Sequence, residues 1–211
     1  MALDEALLEH RLIPTLRFYT WDKPTISLGR FQNQAEAEQL QRLAPDSEVV
    51  ERRTGGKAIL HDQELTYSLC APKTGALAGG PAKAMQAIHL VLAAELNRQT
   101  SLDICLRGKD PASSDVTDSP WCFEDSSPYD LILEGKKLLG SAARRTAGWV
   151  LFHGSLVIHP PKKNPGVAGL GQAPDQVALA DALGQALGLD FQPGAWRPQE
   201  QASVPSSAEL A

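Results

Sequence analysis

The chain has 211 residues, of which 43% are hydrophobic and 21% charged, enough for one folded domain with a substantial core. Its formal net charge of −5 and pI near 5.5 argue against a nucleic-acid partner, because phosphate binding requires a clustered basic surface. The sequence shows no basic-then-apolar leader and no apolar run of about 18 residues. We therefore expect neither secretion nor membrane spanning and place the protein in the cytoplasm.

The first third of the chain predicts a helix followed by short strands. Residues 2–12 place Leu3, Leu7 and Leu8 on one helical face, with Asp4 pointing away from it. Short runs of β-prone residues follow, separated by Pro, Gly and Asp. We expect strands at 16–20, 25–29, 48–54, 57–61 and 65–70, and a helix at about 34–43.

The second part of the chain predicts the longest helix, a loop and a meander of strands. Ala84, Ile88, Leu92 and Leu96 recur at helical spacing within residues 81–98 and indicate one buried face. His89, in the same helix, is expected to be an ordinary helix residue. We expect a loop over 107–120, strands at 129–134, 136–144 and 149–159, and a final helix at about 174–187.

Many strands in meanders together with a few long helices predict an α+β fold, with a mixed β-sheet flanked by helices. We expect one domain over residues 1–195. The remaining residues, 196–211, are rich in Pro, Gln, Ser and Ala and predict a disordered tail.

The three cysteines stand at wide spacings that fit neither a disulfide framework nor a zinc site, so we expect no metal. Cys70 and Cys105 lie in apolar, strand-like runs and are expected in the core. Cys122 lies at the end of the predicted polar loop, where a thiol is accessible. From this context a core role and a reactive role are equally open.

A basic glycine loop, Arg53-Thr54-Gly55-Gly56, stands between two predicted strands. Adjacent glycines permit a chain reversal and carry no Cβ, so their amide groups can approach a ligand closely. The G-x-x-x-x-G-K-[ST] spacing of a phosphate-binding loop is absent. Two interpretations are open, a plain hairpin turn and a ligand-binding loop.

Lys136 and Lys137 begin a strand that continues into the small residues Gly140-Ser141-Ala142. Strand alternation places the two lysines on opposite faces, so one can point into a cleft while the other is solvated. A nucleophilic cysteine needs such a cation, because an ordinary thiol is only about 3% ionised at pH 7. Two surface lysines in a hairpin are the alternative.

Two histidines stand beside these segments. His153, followed by glycine in the apolar strand 149–159, either lines a pocket or is a hydrogen-bonded core residue. His61, after the glycine loop, has the same two interpretations, whereas His10 and His159 are expected to be peripheral.

Five blocks occur in an order that resembles the biotin/lipoate protein ligase superfamily, and the resemblance covers residues 1 to about 190. The family implies an α+β catalytic domain in which the Gly-Gly block and the small-residue strand flank a tunnel for an acyl chain. The blocks are Met1 to Leu8, Arg17 to Trp21, Arg53 to Ser68, Gly135 to Ala142 and His153 to Leu156.

Within the superfamily, Ser119-Pro120-Trp121-Cys122-Phe123 resembles the cysteine loop of octanoyltransferases that act on the glycine cleavage H protein. The resemblance implies that Cys122 takes an octanoyl group from acyl carrier protein as a thioester. It then passes the group to the lipoyl-domain lysine of the H protein. Lys137, at the lysine position of Gly-x-Lys-x-x-Gly-Ser-Ala, would stabilise the thiolate and bind the acyl carbonyl. No cofactor is expected, because a thioester is already activated.

The resemblance further implies substrate-binding residues on both walls of the tunnel, with Arg53 and His61 near its mouth, and a monomeric protein. The substrate-binding residues expected are Arg53, Thr54, Gly55, Gly56, His61, Gly140, Ser141, Ala142 and His153.

Three alternatives stay open at this point: an ATP-dependent lipoate ligase, an amidotransferase moving octanoyl or lipoyl groups between lipoyl domains, and a catalytically silent binding module. Against the ligase, the chain has Asp62-Gln63 and Tyr129-Asp130 where ligases typically carry Gly-Asn and Asn-Asp. Relatives usually have a strand before the block at Met1. We therefore expect either a start further upstream or a sheet without that edge strand.

Overall fold

The computed structural model describes residues 1–109, 121–122, 126–160, 166–195 and 198. Over these residues the chain forms four α-helices, nine β-strands and a short 3-10 helix at Gly75–Leu77. The helices are α1 Ala2–His10, α2 Gln34–Leu43, α3 Pro81–Thr100 and α4 Gln176–Leu187. The strands are β1 Thr15–Tyr19, β2 Thr25–Leu28, β3 Glu48–Glu51, β4 Ile59–His61, β5 Glu64–Pro72, β6 Cys105–Leu106, β7 Leu131–Leu133, β8 Lys136–Arg145 and β9 Trp149–Val157.

The strands form two sheets. The larger has the order β1-β5-β9-β8-β7-β6, with every neighbouring pair antiparallel. The smaller has the order β3-β2-β4, in which β2 runs parallel to β3 and antiparallel to β4. The predicted α+β class and the predicted meander through β7, β8 and β9 are both confirmed.

Helices α3 and α4 cover one face of the larger sheet. Ala84, Ile88, Leu92 and Leu96 of α3 are buried, as their spacing predicts, and pack against apolar residues of β5, β8 and β9. The opposite face is covered at one end by α1, through Leu7 and Leu8 among others, and faces the smaller sheet elsewhere. A pocket between the two sheets results.

The segment at Gly55–Gly56 is not a hairpin. Strands β3 and β4 do not pair with each other, because both pair with β2 and lie on either side of it. Gly56 has a φ of 94°, and a Cβ on Gly29 would stand 1.8 Å from the carbonyl oxygen of Gly56. The segment therefore crosses the end of β2 in close backbone contact.

Two sequence-based expectations about burial are wrong. Cys105 is exposed, because it begins the edge strand β6, whereas Cys70 is buried as expected. Asp4 is completely buried although its helical position suggested a solvent-facing side chain.

Residues 110–120 of the predicted loop, and the predicted tail at 196–211 apart from residue 198, lie outside the described residues. Within the described ranges, no helix combines the length and the apolar character needed to cross a bilayer.

Candidate active site

Cys122 is held at the edge of the smaller sheet by its backbone. Its N–H donates to the carbonyl oxygen of Ala58 at 2.8 Å, and Trp121 forms an isolated parallel bridge with Ala58. The Trp121 side chain packs against the apolar core formed by β2, α2 and Ala58. The half-buried thiol of Cys122 is thus presented toward the larger sheet.

The ammonium group of Lys137 reaches Cys122 from the larger sheet. Its Nζ donates to the carbonyl oxygen of Cys122 at 2.8 Å and lies 3.9 Å from the sulfur. Asp130 Oδ2 forms an ion pair with the same ammonium at 2.9 Å, and both side chains are buried. The N–H of Ser127 donates to Asp130 at 2.8 Å and orients the carboxylate. Lysine, carboxylate and thiol therefore form one compact cluster.

A register shift between β7 and β8 aims Lys137 at this cluster. Leu139 pairs with Leu131 while Lys137 pairs with Ile132, so one residue of β8 has no partner. Such an irregularity reverses the alternation of side chains and redirects the residue before it. Lys137 consequently lies across Gly140, where a Cβ would meet its Cε at 2.7 Å. Lys136 is half-exposed.

Of the two adjacent arginines, the structure buries Arg52 and leaves Arg53 at the surface. Arg52 donates to the carbonyl oxygens of Ser27, Gly55 and Lys57 at 2.7, 3.0 and 2.6 Å. The side chain of Arg53 is 60% exposed and pairs with Glu5 at 2.9 Å. Arg52 therefore organises the glycine loop, whereas Arg53, the arginine expected near the tunnel mouth, lies at the surface.

The other residues expected in the glycine loop are placed as follows. Thr54 is fully buried, and Gly55 lies beside the ring of the exposed Phe31. Gly56 contacts Gly29 and a terminal nitrogen of Arg52. These three residues shape the loop that leads to Ala58 and Cys122.

His61 is buried in a polar network instead of lying at an open mouth. Its Nε2 is 2.8 Å from Ser27 Oγ and its Nδ1 is 3.1 Å from Glu64 Oε1. Thr66 and Ser155 also donate to Glu64, and the Trp21 ring stacks on His61 with centroids 4.3 Å apart. Burial lowers the pKa of His61 although Glu64 opposes the shift, so the ring is neutral at pH 7.

A small cavity of about 10 Å³, with room for about one water molecule, opens between the two sheets. It brings together three of the expected substrate-binding residues, His61, Ala142 and His153. The other lining residues are Met1, Ser27, Arg52, Ile59, Thr66, Gly154 and Ser155.

His153 meets the buried carboxylate of Asp4. Its Nε2 is 3.0 Å from Asp4 Oδ2 without the geometry of a hydrogen bond, and Arg17 and Tyr19 donate hydrogen bonds to this carboxylate. Burial alone would raise the pKa of Asp4, but the charges of His153 and Arg17 hold it well below its usual range. Asp4 is therefore ionised at neutral pH.

Ser141 lies on the opposite face of β8 from Gly140 and Ala142. Its Oγ is 2.7 Å from His89 Nε2 and 2.7 Å from the Tyr67 hydroxyl, beneath α3. Successive residues of a strand point to opposite faces, so the three neighbours cannot line one wall. His89, expected to be an ordinary helix residue, connects α3 to β8 through its hydrogen bond with Ser141.

Sequence reasoning missed four buried charged residues of this region: Asp4, Arg52, Glu64 and Asp130. The cysteine and lysine expected to act together are in contact, and Gly140 lies directly beneath the lysine. In the described part of the chain, no group of three or more His, Cys, Asp or Glu residues is arranged to hold a metal ion.

Curated proteins are similar to this chain in overall sequence. The chain is 36% identical over 173 residues to octanoyltransferase LipM of Brevibacillus brevis, and 41% identical over 164 residues to that of Moorella thermoacetica. Each match covers 75% of this chain and 60% of the relative. The chain thus spans about three fifths of the length of the curated relatives it matches.

Solved structures show the same fold. A bi-partite lipoate protein ligase from Thermoplasma acidophilum superposes with a TM-score of 0.71 at 20% identity, covering 96% of this chain and 84% of that one. A lipoate-protein ligase A bound with ATP gives a TM-score of 0.73 at 20% identity, covering 96% and 85%. The family model for the lipoyl protein ligase A/B catalytic domain matches residues 1–164. The chain therefore belongs to the lipoyl protein ligase A/B catalytic domain family.

Proposed function

We propose that this chain is an octanoyltransferase that moves an octanoyl group to the lysine of a lipoyl domain through a thioester on Cys122. The observation that carries the proposal is the contact of the buried Lys137 ammonium with Cys122, 3.9 Å from its sulfur. A cation at this distance stabilises a thiolate, the nucleophilic form of cysteine. The relatives named octanoyltransferase LipM support octanoyl transfer.

The reaction proceeds in two steps. Cys122 gives up its proton, its thiolate attacks the carbonyl carbon of the donor thioester, the C–S bond of the donor breaks, and the leaving sulfur takes up the proton that Cys122 released. The acceptor lysine then attacks the acyl-enzyme and forms an amide, which returns the thiol of Cys122. In this proposal Lys137, whose ammonium donates to the carbonyl oxygen of Cys122, donates to the carbonyl of the acyl group in both steps.

The donor in this proposal is octanoyl-acyl carrier protein and the acceptor is the glycine cleavage H protein, as the cysteine-loop resemblance implies. Because the thioester supplies the activation, the reaction consumes no ATP. We further propose a monomeric cytoplasmic enzyme, with residues 1–195 as its catalytic domain.

The test is to incubate the protein with octanoyl-acyl carrier protein in the absence of ATP and to measure its intact mass. We expect one octanoyl adduct, lost in Cys122→Ala. The matched control is Cys105→Ala, because Cys105 is the exposed cysteine and lies on the edge strand β6. No adduct on the wild type, or an adduct that persists in Cys122→Ala, would refute the proposal.

The same assay separates the amidotransferase. An amidotransferase would form the adduct from octanoyl-H protein and not from the carrier protein. A requirement for ATP and free octanoate would instead identify a ligase.

A further inference from the structure

The second step of the proposed reaction needs a base. An acceptor lysine with an ordinary pKa of about 10.4 is protonated at pH 7 in all but roughly one molecule in 2,500. An ammonium has no lone pair and cannot attack a thioester. A residue that accepts this proton must therefore lie beside the acyl-enzyme.

We infer that His153 is the general base that takes a proton from the acceptor lysine before this lysine attacks the acyl group on Cys122. The inference rests on the proposed function and adds a catalytic residue to it. Three observations on the described residues carry it: a ring nitrogen without a partner, a carboxylate behind the ring, and a position beside the lysine–cysteine cluster.

The first observation is the unpartnered nitrogen. His153 is buried and lines the cavity between the two sheets, yet in the ranges that the structure describes neither of its ring nitrogens makes a hydrogen bond; Nε2 lies at ion-pair distance from Asp4, and Nδ1 is the nitrogen turned away from it. Buried polar atoms nearly always have a partner, so an exception of this kind indicates a functional site. By contrast, both nitrogens of His61 and both nitrogens of His89 are engaged.

The second observation is the carboxylate of Asp4. It lies 3.0 Å from Nε2, on the side of the ring away from Nδ1, and is ionised at neutral pH. Its charge favours the tautomer with the proton on Nε2, which leaves the lone pair on Nδ1.

The third observation is the position on the sheet. His153 pairs with Ala142, and Gly140, beneath the Lys137 ammonium, lies two residues away on the same face of β8. Two residues of strand span roughly 7 Å. The His153 ring and the Lys137 ammonium therefore lie over neighbouring positions of the same sheet face.

Every proton and every bond is accounted for in this step. Nδ1 of His153 takes one proton from the acceptor ammonium, and the resulting amine attacks the carbonyl carbon of the thioester. The C–N bond forms, the bond from carbon to Cys122 Sγ breaks, and the second nitrogen proton passes to the departing sulfur. The products are the amide, the thiol and a protonated His153, which releases its proton to water.

Other charged or titratable groups surround the ring and Asp4, and each would influence the pH dependence of the step. They are the amino group of Met1, Arg17, Tyr19, Arg52, His61 and Glu64.

The experiment separates the steps. Wild type and His153→Gln are loaded with octanoyl-acyl carrier protein, and the acyl-enzyme is then discharged to the H-protein lysine or to hydroxylamine, which is unprotonated at neutral pH. We expect loading and discharge to hydroxylamine within about twofold of wild type. Discharge to lysine should be at least about 100-fold slower, because general bases contribute 10²–10⁴-fold. In His153→Gln the rate of discharge to lysine should also rise about tenfold per pH unit, because the fraction of unprotonated acceptor lysine rises by that factor.

Two further variants keep the inference falsifiable. Asp4→Asn leaves the ring in place and should slow discharge to lysine about tenfold without slowing discharge to hydroxylamine. His159→Gln, at an exposed histidine just beyond β9, should change none of the three rates.

Discharge to lysine at the wild-type rate in His153→Gln would refute the base and leave the proposed function intact. Equal slowing of all three rates in both His153→Gln and Asp4→Asn would show a purely structural role and would also refute it. Failure of the wild type to load would refute the proposed function, and this inference with it.

Discussion

A methyl group placed at Gly140 should disable the candidate site by displacing Lys137. A Cβ at this position would stand 2.7 Å from Lys137 Cε and 3.0 Å from Nζ. Ordinary carbon contacts lie near 3.5–4.0 Å, so the buried lysine must retreat by roughly 1 Å. A misplacement of 1 Å costs about 10²-fold in rate, or about 2.7 kcal/mol of transition-state stabilisation. Overpacking should also destabilise Gly140→Ala by about 1–3 kcal/mol.

The assay for Gly140→Ala is the rate of octanoyl loading followed by intact mass, with thermal unfolding measured in parallel. We expect loading to fall about 100-fold and the unfolding midpoint to fall about 2–4 °C for each kcal/mol. Gly194→Ala is the matched control, because its Cβ would have no neighbour closer than 3.7 Å. A folded Gly140→Ala that loads at the wild-type rate would refute the placement of Lys137 over this glycine.

Two further predictions concern stability. Arg52→Lys should lower the free energy of unfolding by at least about 2 kcal/mol in urea titrations, because an ammonium cannot reach the carbonyl oxygens that the buried guanidinium holds. Arg53→Lys should cost under about 1 kcal/mol, since its ion pair is exposed, and equal losses would contradict the assignment. Burial lowers the pKa of His89 to about 4, so the unfolded state binds more protons between about pH 4 and 6.5 and stability should rise with pH there. Unfolding midpoints across this range should show the rise, and His89→Gln should flatten it; an unchanged slope would count against a neutral, buried His89.

The cysteine and the lysine of the candidate site can be identified from the sequence because the family resemblance rests on short motifs that contain them. Cys122 stands in a polar loop, and Lys137 stands three residues before a run of small residues. Their contact could not be read from spacing, since it depends on the Trp121 anchor in the smaller sheet and on the shifted register of β8. Both are interactions between segments that are distant along the chain.

Adjacent residues show most clearly where sequence reasoning ends. No local pattern distinguishes Arg52 from Arg53, yet only Arg52 donates hydrogen bonds to β2 and to the glycine loop. Asp4 lies on a helix face that looks polar in isolation. It becomes buried because β1 supplies Arg17 and Tyr19 against it.

Local periodicity by itself determined the helices, most of the strands and the α+β class of this protein, because these follow from residue spacing along a short segment, whereas the cysteine–lysine pair came from the family resemblance. The tertiary structure alone decided that β3 and β4 flank β2, that Ser141 faces α3 and that His153 is backed by a buried carboxylate. These features depend on strand register and on which distant side chains share a low-dielectric interior, where an unpaired charge is costly. No local pattern of residues contains that information.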